Sequence, residues 1–377
     1  MNRKAFANLK LIIIVSLVAV LAIGLPLMSG CLGKPAVAPP AAPPEVAPPE
    51  VAPPEVAPPE PAAEALPLYT LRYQGYHEPI ELGEYLSDTW ERIELMSGGR
   101  LKVVPYACDE LVAHDDLLEA IGLGTVDMGV WGSSFNPVTE TAPFEASPAF
   151  MWVNAAEYEV LYWERGLREI FNEAYAPFNA HWITNWVDDP MVLVTIEPVK
   201  TYEDLEGLRV SSHPEYVPAY EDAGAVCVML PIEEYYLAGE TGIIDAINWA
   251  SGICYYKMGL SELFHYLTMP PMTNPYQGNI IIRKDLWEEM PRDLQEILYC
   301  AWRESSMESW ARQYSAHTYY AKNYFEVNTF SDEDVAKLVA SSTAKWAEYA
   351  ERGPLAQRAY SIIMDYFAET EEAQWFR

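Results

Sequence analysis

Two stretches of this chain repeat one pattern, "GTVDMGVW" from Gly124 to Trp131 and "GIIDAINW" from Gly242 to Trp249. Both read glycine, two residues, aspartate, three residues, tryptophan. Each follows a run with helical spacing, "DDLLEAIGL" (Asp115 to Leu123) and "IEEYYLAGET" (Ile232 to Thr241). A glycine directly after such a run supplies the left-handed turn that stops a helix, and the short apolar run beyond it suits a buried strand. The chain therefore writes helix, stop and strand twice.

The upstream residues extend each copy. "LYTLRYQGY" (Leu68 to Tyr76) alternates as a strand, "LGEYLSDTWERIELMSGG" (Leu82 to Gly99) is helical and closes on two glycines, and "RLKVVPY" (Arg100 to Tyr106) is a second strand. The second unit runs through "LEGLRVSS" (Leu205 to Ser212), "PEYVPAYEDAG" (Pro214 to Gly224) and "AVCVML" (Ala225 to Leu230) in the same order. Two βαβαβ units imply α/β lobes with parallel-type sheets and helices on their faces. At 377 residues and 50% hydrophobic content the chain can bury cores for both.

In such sheets ligands bind beyond the carboxyl ends of the strands, where both copies carry a tryptophan. Facing lobes would bring Trp131 and Trp249 to one cleft from opposite sides. With twelve tryptophans in the chain, the alternative is that either is ordinary core. Asp127 and Asp245 repeat with the architecture and read as turn or cap carboxylates, not catalytic acids. Loops after first-lobe strands add Tyr76 and His77 in "GYHEP" and Ser133, Ser134 and Asn136 in "WGSSFNP". A small acid needs a few such convergent polar groups on an aromatic floor. His77 is equally readable as an exposed loop residue.

The start of the chain is not part of the fold. Arg3, Lys4 and Lys10 precede the apolar run Leu11 to Leu27, and "MSGC" ends at Cys31. Residues 1–31 read as a lipoprotein signal peptide with lipobox Cys31 as the lipidated residue, a plain membrane anchor being the alternative. Residues 32–67 repeat "PPEVA" and form a proline-rich tether. Proline fixes φ and removes backbone donors, so about thirty such residues reach on the order of 90 Å as a polyproline rod. Both readings place the body outside the cytoplasm, anchored to the membrane.

A formal charge of −31 disfavours nucleic acid and anionic lipid surfaces. Cys108, Cys227, Cys254 and Cys300 show no metal-like spacing, and their pairing is open between disulfides and free thiols. The six histidines form no HExxH or paired motif. GxSxG, P-loop and dinucleotide signatures are also missing, which argues against an enzyme.

Several motifs in order carry a family resemblance: "SGGRLKV" (Ser97 to Val103), "GTVDMG", "YEDLEGLRV" (Tyr202 to Val210), "GIIDAINW" and "IIRKDLWEEMPRDLQEIL" (Ile281 to Leu298). From Leu68 onward the chain resembles the solute-binding proteins of tripartite ATP-independent periplasmic (TRAP) transporters. "RGLREIFNEAYAPFNAHW" (Arg165 to Trp182) is similar to the branch of 2-oxo acid and lactate binders. The resemblance implies a two-lobed periplasmic-binding-protein-like fold with hinge strands and long spanning helices. Lobe I is expected over 68–190 with part of 279–377, lobe II over 191–278, and the spanning and C-terminal helices over 284–377. It further implies a small organic acid ligand, TRAP permease subunits as membrane partners, and a monomer or homodimer. A ligand-sensing lipoprotein partnering a membrane kinase is the alternative.

Carried over by position, Asn185 and Asp189 in "TNWVDD" and Asn248 with Trp249 in "INW" become ligand residues. The branch often has glutamate at the Asn248 position, where it also holds a cation. Asp189 and Asn248 are thus the candidate ligands of a bridging sodium or calcium, with no other cofactor expected. The family's substrate-forking arginine falls at Ser211 here. Arg209, two residues earlier on the same side of a strand, either substitutes for it or is a solvated surface residue.

Overall fold

The structure is a computed structural model that describes residues 68–373, apart from 78–81, 84–85, 135 and 153. The signal peptide, Cys31 and the tether lie outside the described residues.

In the first sheet, β1 (Tyr69–Gln74), β2 (Leu101–Tyr106) and β3 (Met128–Trp131) are parallel in the order β2-β1-β3. The connecting helices are α1 (Ser87–Met96) and α2 (Leu117–Leu123). The sheet is completed by β4 (Ala180–Val187) and by β10 (Gln277–Arg283), which is antiparallel to both β3 and β4.

The second sheet repeats the scheme. Here β6 (Arg209–Ser212), β7 (Val226–Cys227) and β8 (Ala246–Asn248) are parallel in the order β7-β6-β8, with α3 (Val217–Asp222) and α4 (Tyr235–Glu240) between them. It is completed by β5 (Met191–Thr195), β9 (Tyr266–Thr273) and β11 (Glu326–Thr329). Each sheet is thus parallel in its βαβαβ core and mixed at the strands that arrive from the other lobe, because a strand entering through a crossover runs against the core strands.

One ion pair explains the sequence repeat. Gly124 and Gly242 stop their helices at φ 79° and 70°, which favours glycine. The Arg72 guanidinium donates from Nε to Asp127 Oδ2 at 2.9 Å and from Nη2 to the Gly124 carbonyl at 2.7 Å. Arg209 donates from Nε to Asp245 Oδ2 at 2.7 Å and from Nη1 to the Gly242 carbonyl. In both lobes the aspartate ties the start of the last parallel strand to the first, at Arg72 within β1 and at Arg209 at the amino end of β6.

The strands alternate as period two requires. Ile280 and Ile282 of β10 enter one apolar cluster with Leu71, Met128 and Val130, while Ile281 faces another with Trp131 and Trp182. In β5, Val192 and Val194 join Ile247 and Leu267, whereas Met191 and Leu193 join Val210 and Tyr220. Each sheet is therefore covered on both faces. At Gly129 the neighbouring backbone comes so close that an added Cβ would lie 2.1 Å from the Gln74 carbonyl oxygen.

The chain passes between the sheets over 284–325, from β10 to β11, and through two short crossovers, 188–190 between β4 and β5 and 274–276 between β9 and β10. The short crossovers pair with one another: Asp188 N donates to the Tyr276 carbonyl at 2.7 Å, and Tyr276 N to the Asp189 carbonyl at 3.2 Å. The 33-residue helix α5 (Arg292–Tyr324) runs alongside. Ser306 Oγ donates to the Asn185 carbonyl at 2.6 Å, Gln313 Nε2 to Asp188 Oδ1 at 2.5 Å, and His317 Nδ1 accepts from Gly252 N at 3.2 Å. Helices α6 (Asp332–Ala350) and α7 (Pro354–Ala373) follow. Among the described residues no helix is long and apolar enough to cross a membrane, and Cys108, Cys227, Cys254 and Cys300 are not joined in disulfides.

Candidate functional site

The loops beyond the carboxyl ends of β1, β3, β6 and β8 are linked through the crossovers, with Tyr276 at the centre. From lobe I, the hydroxyls of Ser134 and Tyr276 are 2.7 Å apart, and Tyr76 donates to Asp188 Oδ2 at 3.3 Å. From lobe II, His213 stacks on Tyr276 at 5.2 Å and on Trp249 at 5.8 Å, the latter pair only 9° from coplanar. Its Nε2 lies 3.2 Å from the Trp249 carbonyl. Tyr76 and His213 each stand four residues beyond the arginine of the repeated ion pair, so the two units present a ring at the same place.

Three carboxyl groups line this region. Burial raises Asp188 above the usual carboxylate range against the pull of Gln313 and Tyr76. Burial, then the neighbouring Asp188, raises Asp189, whose Oδ2 accepts from the Cys254 thiol at 3.3 Å. Burial pushes Glu215 up to about 8. Both Glu215 oxygens are closed off from solvent without a well-formed hydrogen bond, and the carboxyl raises the nearby Tyr276 phenol. Burial also depresses His213 to about 4, leaving a neutral imidazole at pH 7.

Among the described residues no ion pair includes Asp188, Asp189 or Glu215; the arginines are engaged elsewhere, for example Arg283 with Asp127, Arg303 with Glu159 and Arg352 on the Pro137 carbonyl. None of the undescribed positions between 68 and 373 is lysine or arginine.

The sequence-expected residues divide into several groups. Trp249, Tyr76 and Asp189 belong to the cluster around the crossovers. Asn248 is fully buried at the end of β8, donating from Nδ2 to the Tyr220 hydroxyl at 2.9 Å while its Oδ1 has no donor. Ser211 is buried in β6 one position before the strand's end. His77 is 3% exposed and lies behind Tyr76, its Nδ1 3.0 Å from the Tyr73 hydroxyl and its ring edge-on to Trp186. The exposed-loop reading of His77 is therefore corrected.

Arg209 also needs correction as a ligand residue. It sits at the amino end of β6 and is held by Asp245, whereas the cluster lies beyond the carboxyl end. Trp131 is 0% exposed, in the lobe I core and stacked on His114 at 5.6 Å, so the core reading describes it.

Ser133 and Asn185 join a different network inside lobe I. The fully buried Glu145 accepts from Ser133 at 2.6 Å, Tyr175 at 2.6 Å, Thr139 at 2.8 Å and Thr141. Asn185 donates to Gln277 Oε1 at 2.7 Å, and Gln277 in turn donates to the Glu145 carbonyl. This network anchors the loop that carries Ser134.

Of the two candidate cation ligands, Asp189 accepts from the Cys254 thiol and Asn248 donates to the Tyr220 hydroxyl. Among the described residues no group of three or more His, Cys, Asp or Glu is placed to hold a metal.

Four residues of the cluster were not singled out from the sequence: Asp188, His213, Glu215 and Tyr276. His213 carried a signal, its fixed distance from Arg209 matching that of Tyr76 from Arg72. Tyr276 carried none, since it lies on a crossover rather than after a parallel strand. A cavity of about 610 Å³ beside the crossovers, against α5, α6 and α7, is lined largely by apolar residues such as Phe150, Trp346 and Phe367. It lacks the convergent polar groups of the strand-end cluster, which we take as the site.

Comparison with known proteins agrees with this geometry. The family model described as bacterial extracellular solute-binding protein, family 7, matches residues 81–352. A monocarboxylate 2-oxoacid-binding periplasmic protein of Nostoc is 27% identical over 296 residues, 77% of this chain and 76% of that protein. A TRAP periplasmic solute-binding protein from Chromohalobacter salexigens, solved with (S)-(+)-2-amino-1-propanol, superposes with a TM-score of 0.72 at 24% identity, covering 82% of this chain and 99% of that one. One from Colwellia psychrerythraea, solved with calcium and pyruvate, gives 0.69 at 17% identity over 81% and 96%. With two βαβαβ lobes, a strand-end cleft and a family match over most of its globular part, the chain belongs to the family 7 bacterial extracellular solute-binding proteins, the solute receptors of TRAP transporters.

Proposed function

We propose that the chain is a tethered extracytoplasmic receptor that holds a small organic acid in the interlobe cleft and hands it to the membrane subunits of a TRAP permease. The observation that carries this reading is the convergence of four strand ends on Tyr276, where residues of both lobes and the crossover meet. The Nostoc relative supports the acid class, and the solved relatives bind pyruvate with calcium or with sodium. The leader and the proline-rich segment support anchoring by a lipid on Cys31.

A thermal-shift screen of organic acids, with and without calcium or sodium, tests the reading, because a ligand that binds only the folded chain raises its melting temperature. A shift of several degrees with one small acid, lost in Trp249→Ala, is the expected result. A full-strength shift in that variant places the ligand elsewhere.

A further inference from the structure

The cleft is built for a positive charge. Asp188 pairs through its backbone with Tyr276 and both Asp188 and Glu215 act electrostatically on the Tyr276 phenol, and among the described residues no guanidinium or ammonium group pairs with either. Among the described residues no cation stands beside these carboxyl groups to receive a ligand's carboxylate, as no ion pair includes Asp188 or Glu215. Burial already disfavours the ionised form of both carboxyl groups; a bare carboxylate beside them would disfavour it further, whereas a cation would favour it.

Beside these carboxyls stands an aromatic face of Tyr276, His213 and the half-buried Trp249. Ring faces next to acceptor oxygens are the surroundings an ammonium group prefers, because the ring quadrupole and the carboxylates both attract it. An ammonium brings three donors and no acceptor, matching the two Glu215 oxygens that lack a well-formed hydrogen bond and the lone pairs that Gln313 and Tyr76 leave open on Asp188. On the lobe I side the Ser134 hydroxyl, now shared with Tyr276, and the Tyr76 hydroxyl, now on Asp188, would exchange those partners for an oxygen at the ligand's other end.

Resting on the receptor reading above, we propose that the ligand of this cleft is a small acid or hydroxy compound that carries its own protonated amine, seated between Asp188 and Glu215 against the Tyr276–His213–Trp249 face. The class is thus aminated, an amino acid or amino alcohol of few carbons, rather than a bare 2-oxo or 2-hydroxy acid.

Isothermal titration calorimetry on the purified full chain, with L-alanine, L-lactate and pyruvate in excess EDTA and again with calcium, tests this on one three-carbon frame. Alanine is expected to bind at least about tenfold more tightly than lactate or pyruvate in EDTA. Glu215→Gln or Asp188→Asn is expected to narrow that margin at least about tenfold. Equal or tighter binding of lactate or pyruvate in EDTA overturns the proposal. So does binding of the acids only when calcium is present, with alanine inert, since the metal then supplies the charge; the receptor reading survives either result. If no compound of this set or of a wider acid and amine panel binds, the receptor reading itself fails.

Discussion

The hydroxyl of Ser134 lies 2.7 Å from that of Tyr276, joining the loop after β3 to the crossover that leads into β10. A residue of lobe I and a residue of the hinge are thus in direct contact beside the ring stack of lobe II. Ligand-dependent closure would act on this contact, and several consequences can be measured.

Trp249 contributes the outermost ring of the stack. Replacing it by alanine is expected to weaken ligand binding about a hundredfold while leaving far-UV circular dichroism unchanged. Calorimetric titration of the variant checks this, and affinity within about threefold of the parent would remove Trp249 from the site.

Arg209 is expected to matter for the fold and not for the ligand. Arg209→Ala breaks the pair with Asp245 and should lower the melting temperature slightly, with affinity unchanged to about twofold. A large loss of affinity with unchanged melting would return Arg209 to the binding residues.

Glu145 holds the lobe I loop through four hydroxyl donors. Glu145→Ala strands them in the core and is expected to cost about 3 kcal/mol in urea unfolding. Since the same loop bears Ser134, affinity should fall as well. Stability equal to the parent would show that the network contributes nothing.

At Gly129 any side chain meets a backbone carbonyl that cannot yield. Gly129→Ala should destabilise lobe I by about 1–3 kcal/mol or prevent folding. Gly207→Ala, at φ 75° with open space around it, should suffer only the backbone strain. Chemical denaturation of the pair separates contact from conformation.

Stability should depend on pH in opposite senses from two sets of buried groups. His77, His181, His213 and His317 are depressed by burial to about 3, 4, 4 and 4, so their contribution is present above pH 6.5 and is lost as pH falls toward those values. Glu215, raised to about 8, contributes most below the unfolded value of 4.5 and loses its contribution as pH rises through 8. The melting temperature is therefore expected to peak near pH 6.5, about where the two sets balance. Glu215→Gln should flatten the alkaline limb in scanning calorimetry. A limb unchanged in that variant would assign the loss to other groups.

The double βαβαβ order was legible because each glycine stop, aspartate and strand is local in sequence, and the pattern recurs. The strand-end location of the cleft followed from that topology, which brought Trp249 and Tyr76 into view. Tyr276 and Asp188 escaped because they lie on crossovers, whose pairing joins residues almost ninety positions apart and leaves no periodic trace. Trp131 misled for the opposite reason: it occupies the same place in the repeat as Trp249, but α2 and the adjoining loops of lobe I cover it. Arg209 looked available because its partner Asp245 is contributed by a different strand.

Helix α5 touches lobe I at Ser306, the crossover at Gln313 and lobe II at His317. Its 33 residues make a rod of about 50 Å. A stiff lever pinned at three successive points leaves the halves little besides swivelling about a single axis near its middle. The receptor would then report occupancy to a membrane partner through one mechanical coordinate, so an antibody or crosslink immobilising the far tip of that rod should arrest the swivel without touching the cleft.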